Sequence, residues 1–352
     1  MTFGVDIEPT NRCNAKCYFC PRDQTPHQGL MTPDVFEQSL SRTGDLRSEL
    51  RAAGRPDPRV SLCGLGEPLL NRHTASFVAR VREEGFECTM SSNAALLDEK
   101  RGAALLDAGL QSICINVGDR DADYEEIYKL PWDRTRDNIL RFKEMADGQC
   151  ETIIVLVDHR KDADHIESMK RYWSDHGLVA FMEYEIINRG GALFVDHMQY
   201  EAYPQIGEAR SMLRAREVEP VCATPFVYLF IGYDGQYYLC CSDWKKEAPL
   251  GSVFDTSFTD VMLTKLAHTR TREPVCKTCN LDPLNKLTES LRARDAGEIS
   301  DADVEALIVR IQRSTAFSLA EIERLTGQPA PAYDAPAFVV PETRRTIPVT
   351  AI

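Results

Sequence analysis

From Phe3 to Ile187, short β-branched runs alternate with longer amphipathic stretches. The apolar runs predict strands over 3–8, 59–63, 86–91, 112–117, 152–157 and 180–186. Apolar positions at helical spacing predict helices between them, near 33–52, 72–84, 97–108, 134–146 and 162–176. Thr32 ahead of Pro33 gives the first helix an N-cap and a pre-set φ. Ile153, Ile154, Val155, Leu156 and Val157 are apolar in succession, which suits a strand covered on both faces. Strict alternation of strands with helices predicts an α/β fold built on a parallel sheet with right-handed crossovers. An open sheet and a partial barrel both satisfy that pattern.

After Gly191 the rhythm changes. Gly232, Gly235, Pro249 and Gly251 mark turns, and Phe226–Ile231 with Gln236–Leu239 flank Tyr233-Asp234-Gly235 as a β-hairpin. Helical spacing returns at Val304, Leu307, Ile308 and Ile311, behind a capping box at Ser300 and Asp303. Ser318 and Glu321 repeat that spacing and predict a second helix start, with Gly327 as its stop. Pro329, Pro331, Pro336, Pro341 and Pro348 predict an extended arm or a partly disordered tail at the end. These shifts divide the chain into a domain at 1–200, a smaller one at 215–290 and a helical extension with a proline-rich tail at 291–352.

Composition narrows the function. Of 352 residues, 43% are hydrophobic and 27% charged, the make-up of a globular enzyme. The net charge of −13 disfavours nucleic acid and anionic lipid as partners. No apolar run is long enough to span a bilayer and Met1 to Pro9 lack a secretion pattern, so a cytoplasmic location is expected. Twelve cysteines in such a chain point to metal binding rather than disulfides.

Cys13, Cys17 and Cys20 form a CxxxCxxC loop just after the first predicted strand, at the edge where α/β proteins place their chemistry. Three thiolates within eight residues can wrap one face of an iron–sulfur cubane and leave one iron open. A structural zinc site would need a fourth ligand from elsewhere. With Phe19 in the aromatic slot, the loop resembles the signature of the radical S-adenosylmethionine (SAM) enzymes. Cys63-Gly64-Leu65-Gly66-Glu67-Pro68 ends the second strand, where that family carries a Gly-Gly-Glu-type motif facing the SAM amine.

The resemblance covers residues 3–190 and implies a partial (β/α)6 TIM-like barrel. It implies that Cys13, Cys17 and Cys20 hold three irons of a [4Fe–4S] cluster and that SAM chelates the fourth. One electron then yields a 5′-deoxyadenosyl radical that abstracts hydrogen from substrate. The same resemblance gives cofactor-binding roles to Phe19, Gly64, Gly66, Glu67, Ser92, Asn93 and Asn116. Lys129 stands where many relatives have an arginine for the SAM carboxylate, a departure from the pattern.

Cys222, Gly235 and Cys240, spaced C-x12-G-x4-C, precede Cys276-Lys277-Thr278-Cys279. Four thiolates from two loops fit zinc or a second cluster. Beside the first motif, the spacing resembles the twitch domain, the shortened SPASM form, which implies one auxiliary [4Fe–4S] cluster held by these four cysteines. Complete ligation favours electron transfer over substrate binding. Cys241 adjoins a ligand without being needed as one and is a candidate hydrogen donor. Arg189, in Asn188-Arg189-Gly190-Gly191 after the sixth strand, is a candidate to orient or deprotonate a hydroxyl. Glu8, Glu183 and Glu185 are expected to project inward toward substrate. Cys63, Cys88, Cys114 and Cys150 read as core filling, and Asp119, Asp121 and Asp123 lack the rest of a calcium loop.

The reading expected is a radical SAM oxidoreductase that dehydrogenates a small hydroxylated molecule, an aminocyclitol or sugar. Its electron donor would be a flavodoxin or ferredoxin. The barrel starts at Phe3, which leaves no preceding peptide-recognition domain. The alternatives are a redox-neutral epimerase using Cys241 and a peptide-modifying maturase; a zinc-stapled scaffold is the non-enzyme one.

Overall fold

The computed structural model describes residues 2–193 and 200–331. The predicted alternation is present: β1 (Gly4–Ile7), α1 (Pro33–Ala52), β2 (Arg59–Leu62), α2 (Thr74–Glu83), β3 (Glu87–Ser92), α3 (Glu99–Asp107) and β4 (Ser112–Asn116). Then come α4 (Asp121–Tyr128), α5 (Trp132–Ala146), β5 (Glu151–Asp158), α6 (Ala163–Asp175) and β6 (Ala180–Glu185). The Thr32 hydroxyl accepts the Val35 N–H and caps α1, with Pro33 in its first turn. The apolar pattern gives no sign of α4, because its eight residues bury only Tyr124, Ile127 and Tyr128.

One face of the sheet is closed. Val5, Ile7, Val60, Leu62, Met90, Ile113, Ile115, Ile154 and Leu156 are fully buried in the main apolar core with residues of the helices. Asp6, Ser61, Ser91, Cys114 and Asn116 alternate with them and are only half-buried, facing the hollow inside the curve. The run at 153–157 is therefore covered by helices on one side and by the barrel interior on the other.

The sheet continues beyond six strands. After α7 (Gln205–Ala215), β7 (Tyr228–Ile231) pairs parallel with β1, placing Tyr228 opposite Gly4 and Phe230 opposite Asp6. The hairpin partner β8 (Gln236–Tyr238) and β9 (Pro249–Ser252) follow antiparallel, giving the order β6-β5-β4-β3-β2-β1-β7-β8-β9. With β6 and β9 at opposite ends, this is a partial barrel rather than a closed one. Pro249 and Gly251 thus lie in a strand instead of marking turns; at the start of an end strand, proline's missing N–H is tolerated.

Helices α8 (Phe258–Thr271), α9 (Pro274–Thr278), α10 (Pro283–Asp295) and α11 (Asp301–Thr326) complete the described chain. Ser300 and Asp303 form the expected capping box, and Gly327 ends α11 at a φ of 67°. Ser318 and Glu321 do not start a new helix. Inside α11 the Ser318 hydroxyl donates to the Ser314 carbonyl at 2.9 Å, and buried Glu321 pairs with Arg55 at 2.8 Å. Ile206, Leu213, Leu287, Leu291, Ile308 and Ile311 form a second apolar cluster that joins α7, α10 and α11. The proline-rich tail past residue 331 lies outside the described residues.

Candidate active site and cluster thiols

Past β1 the chain leaves the sheet as the loop that carries Cys13, Cys17 and Cys20. Lys16 N–H donates to the Tyr128 carbonyl at 3.0 Å, and Arg22 Nη1 to the Cys13 carbonyl at 2.8 Å, fixing the loop from two sides. The Ala15 N–H and Asn93 Nδ2 both point at Cys13 Sγ, at 3.4 and 3.7 Å. Such donors favour a thiolate. Burial works the other way: it pushes the Cys13 thiol up to about 11 and raises Cys17 and Cys20, and neighbouring thiolates add to the rise at Cys13 and Cys17. Mutually repelling, buried thiols with N–H donors already aimed at sulfur fit a cationic iron core, which the protons on these thiols must leave to admit.

Two glycines let the second strand's loop lie against the first. A Cβ on Gly66 would stand 2.4 Å from the Arg12 carbonyl oxygen and 2.5 Å from that of Thr10. One on Gly64 would stand 2.6 Å from the Glu8 side chain. Glu67 is 1% exposed. Its Oε1 accepts from Ser92 Oγ at 2.9 Å and Leu69 N–H at 3.1 Å, and its Oε2 from Asn93 N–H at 2.7 Å. Burial raises the carboxyl above its ordinary range and those three donors pull it back. Glu67 therefore braces the Ser92-Asn93 turn, and Asn93 reaches from that turn to Cys13.

Phe19 stacks on His159 with centroids 5.1 Å apart and meets Tyr128 edge-on. Asn116 Nδ2 donates to Ser91 Oγ at 2.8 Å across the hollow's wall. Lys129 is not brought to the site: it is exposed, in a left-handed conformation at the end of α4. Its neighbour Tyr128 touches the loop, through its carbonyl at Lys16 and its ring at Phe19. A relay absent from the sequence reading backs the loop instead. Tyr18 hydroxyl lies 2.5 Å from His159 Nδ1, and His159 Nε2 lies 2.7 Å from buried Asp119. Arg160 also donates to Asp119, at 2.7 Å. Burial would raise the Asp119 carboxyl, but His159 and Arg160 hold it below its usual range. Asp119 stood out in the sequence only as part of an acidic run, and nothing local announces a partner forty residues away.

The hollow itself is lined by polar groups. Asp6 is pushed up to about 6 by burial, against the pull of a Cys63 hydrogen bond and the charge of Lys265. Cys114 Sγ lies 3.9 Å from Met182 Sδ, and Tyr184 senses the charges of Cys114, Cys63 and Asp6. Cys63 and Cys114 thus line the interior, whereas Cys88 and Cys150 are core filling. Glu183 points outward to Lys170, 2.6 Å away, because Met182 and Tyr184 take the inward positions of β6. Glu185 shares the outward face by alternation. Glu8 is fully buried in an ion pair with Lys246 at 3.0 Å, while its Oε1 accepts the Leu65 N–H at 2.8 Å. It joins the two loops and the hairpin rather than awaiting a ligand.

The second thiol set converges from four places. Cys222 before β7, Cys240 after β8, Cys276 in α9 and Cys279 at its end line one small cavity with Leu239, Val275 and Leu281. Asn285 Nδ2 donates to the carbonyls of Cys276, Lys277 and Cys279 at 2.8–3.1 Å and holds that turn. Burial pushes Cys222 up to about 11 and raises the other three. Among the described residues no three such side chains stand close enough to share one ion.

Between the two thiol sets lies the turn after β6. A Cβ on Gly190 would stand 2.4 Å from Val275 Cγ2, and one on Gly191 2.6 Å from Thr278 Oγ1. Asn188 Nδ2 donates to the Thr278 carbonyl at 2.7 Å. Arg189 takes a φ of 51°. Its guanidinium lies 5.7 Å from the Trp244 ring centre and its charge lowers the Cys20 thiol, while its Nε is buried without a partner. Cys241 is half-buried, and its N–H donates to the Tyr228 hydroxyl at 2.6 Å.

Residues 7–172 match the radical SAM superfamily, and residues 222–280 match SPASM, an iron–sulfur cluster-binding domain. The chain belongs to the radical SAM enzymes with a SPASM/twitch domain. Its cofactors are SAM, the [4Fe–4S] cluster that binds it and an auxiliary iron–sulfur cluster. No curated protein matches it by sequence. Among solved structures, SuiB of Streptococcus suis bound to the precursor peptide SuiA has a TM-score of 0.56 at 13% identity, over 81% of this chain and 70% of that one. Histidine-tagged anSMEcpe with AdoMet has a TM-score of 0.54 at 14% identity, over 92% of this chain and 99% of that one. BtrN with AdoMet and 2-DOIA has a TM-score of 0.46 at 18% identity, over 80% and 93%. At these identities the likeness is one of fold. No helix among the described residues is long and apolar enough to cross a membrane.

Proposed function

We propose that this enzyme dehydrogenates a small hydroxylated molecule, an aminocyclitol or sugar, held in the hollow of the partial barrel. The carrying observation is that Cys222, Cys240, Cys276 and Cys279 all line one cavity. Four protein thiolates leave that group no corner for substrate, so electron transfer is its remaining use. When bound, SAM and its cluster would supply a 5′-deoxyadenosyl radical, and the auxiliary cluster would supply an acceptor for one electron from the substrate. An external donor of the flavodoxin or ferredoxin kind supplies the reducing electron.

The chain's residues supply binding, orientation and shelter. Cys13, Cys17 and Cys20 hold the first cluster, with Asn93 hydrogen-bonding at Cys13. Gly64 and Gly66 let the loop after β2 close on the loop that follows β1, and Glu67 fixes the Ser92-Asn93 turn beside it. Phe19, Asn116 and Ser92 complete that wall. Asp6, Ser91, Asn116 and Tyr184 offer hydrogen bonds to hydroxyls or an amine, which supports a polar substrate. Arg189, with an unmade hydrogen bond between the two thiol sets, orients the reacting hydroxyl.

Anaerobic turnover with candidate polyols tests the reading. It expects 5′-deoxyadenosine and a carbonyl product in equal amounts. A product isomeric with substrate, carrying deuterium from heavy water and lost in Cys241→Ala, would replace dehydrogenation by epimerisation. Cys241 is half-buried, with its N–H on the Tyr228 hydroxyl, and that variant tests the second reading directly.

A further inference from the structure

Lys265 on α8 is fully buried. Its Nζ donates to the carbonyls of Pro225 and Tyr228, both at 2.6 Å, and lies 5.7 Å from the Tyr228 ring centre. These are neutral partners. Among the described residues Lys265 forms no ion pair with a carboxylate. A buried ammonium held only by carbonyls is poorly compensated, and natural cores rarely keep one without opposing charge nearby.

That opposing charge lies behind a single residue. Pro225, whose carbonyl holds Nζ, lines the cavity that Cys222, Cys240, Cys276 and Cys279 share. The charged and titratable groups that act on Lys265 are Cys240 and Asp6. Burial drives the ammonium down to about 7 and those two pull it back. Asp6 acts on Lys265 through its charge alone, with no hydrogen bond between them. Four thiolates around an iron–sulfur core carry net negative charge, and that charge grows on reduction. In a low-dielectric interior a fixed cation beside such a group favours its reduced form.

We propose that Lys265 is the built-in counter-charge of the auxiliary cluster, raising its potential so that it accepts an electron from the substrate radical. The inference rests on the assignment of Cys222, Cys240, Cys276 and Cys279 as that cluster's ligands. Lys265 acts through the cluster and is a positioning residue. A methionine of similar volume would pack there without charge, and a glutamine would still donate to the two carbonyls.

The test is a potentiometric titration of the anaerobically reconstituted holoenzyme, followed by electron paramagnetic resonance, for wild type, Lys265→Met and Lys265→Gln. Added SAM perturbs only the signal of the cluster it binds and so separates the two. The expected result is a more negative midpoint for the auxiliary cluster in both variants, with the SAM-binding cluster unmoved. Should Lys265→Met fail to fold, Lys265→Gln gives the answer by itself. An auxiliary midpoint unmoved or more positive, at full iron content, overturns the counter-charge. A wild-type protein holding only about four irons overturns the ligand assignment and the counter-charge together.

Discussion

A thiol becomes a cluster ligand only by losing its proton, and every cysteine proposed for that role is held in surroundings that oppose the loss. The two sets are separately built, which makes them separable by substitution. Cys17→Ala is expected to reduce reconstituted iron from about eight to about four per chain. SAM cleavage is abolished and the auxiliary signal stays; simultaneous loss of both signals would contradict independent sites. Asp119→Asn removes an acceptor shared by His159, Arg160 and His165 and should cost about 3 kcal/mol in chemical denaturation. Because the folded Asp119 carboxyl lies below its ordinary range, its contribution is present above about pH 4 and is lost as pH falls through the folded value. Wild type and Asp119→Asn should therefore converge in strong acid. Arg189→Met should lower turnover by about 10²-fold while leaving both cluster signals in place.

At the scale of elements, glycine marks where two segments must touch. Gly66→Ala drives a methyl into the Arg12 and Thr10 carbonyls, so the first cluster's loop must shift. Its cluster should load poorly, measured as iron content and visible absorption, while the auxiliary cluster loads as in wild type. Such contacts explain what was legible in the sequence. Apart from α4, the strands and helices of the barrel were readable because each has a periodic apolar face, and CxxxCxxC and CxxC because their cysteines are neighbours in the chain. Strand β9 was hidden by Pro249 and Gly251, and α4 by its shortness. Ser318 looked like a cap because spacing shows only which residues are three apart, whereas the long face of α11 runs through it. Glu8, Glu183, Lys129 and His159 were misread or missed for one reason: their partners or their exposure depend on packing between elements distant in sequence.

At the scale of the molecule, the auxiliary thiols sit in a thin apolar setting. Leu239, Ala248, Val275 and Cys276 form a cluster of their own, separate from the main core. Metal ligation must therefore supply much of the order there. Stripping iron with a chelator and oxidant should lower the melting temperature and increase hydrogen exchange over 222–285, with β3 to β5 unchanged. Uniform exchange across both regions would show that the small cluster suffices without metal.

The pairing of β7 with β1 also dictates the order in which the protein can be finished. Strand β1 has β2 on one side and, on the other, an edge whose partner is synthesised only with Tyr228–Ile231. Until then Gly4–Ile7 offers unpaired backbone groups to any strand it meets. A nascent chain stalled before residue 222 is accordingly the form most prone to aggregate, and slow synthesis of that stretch a hazard rather than a help.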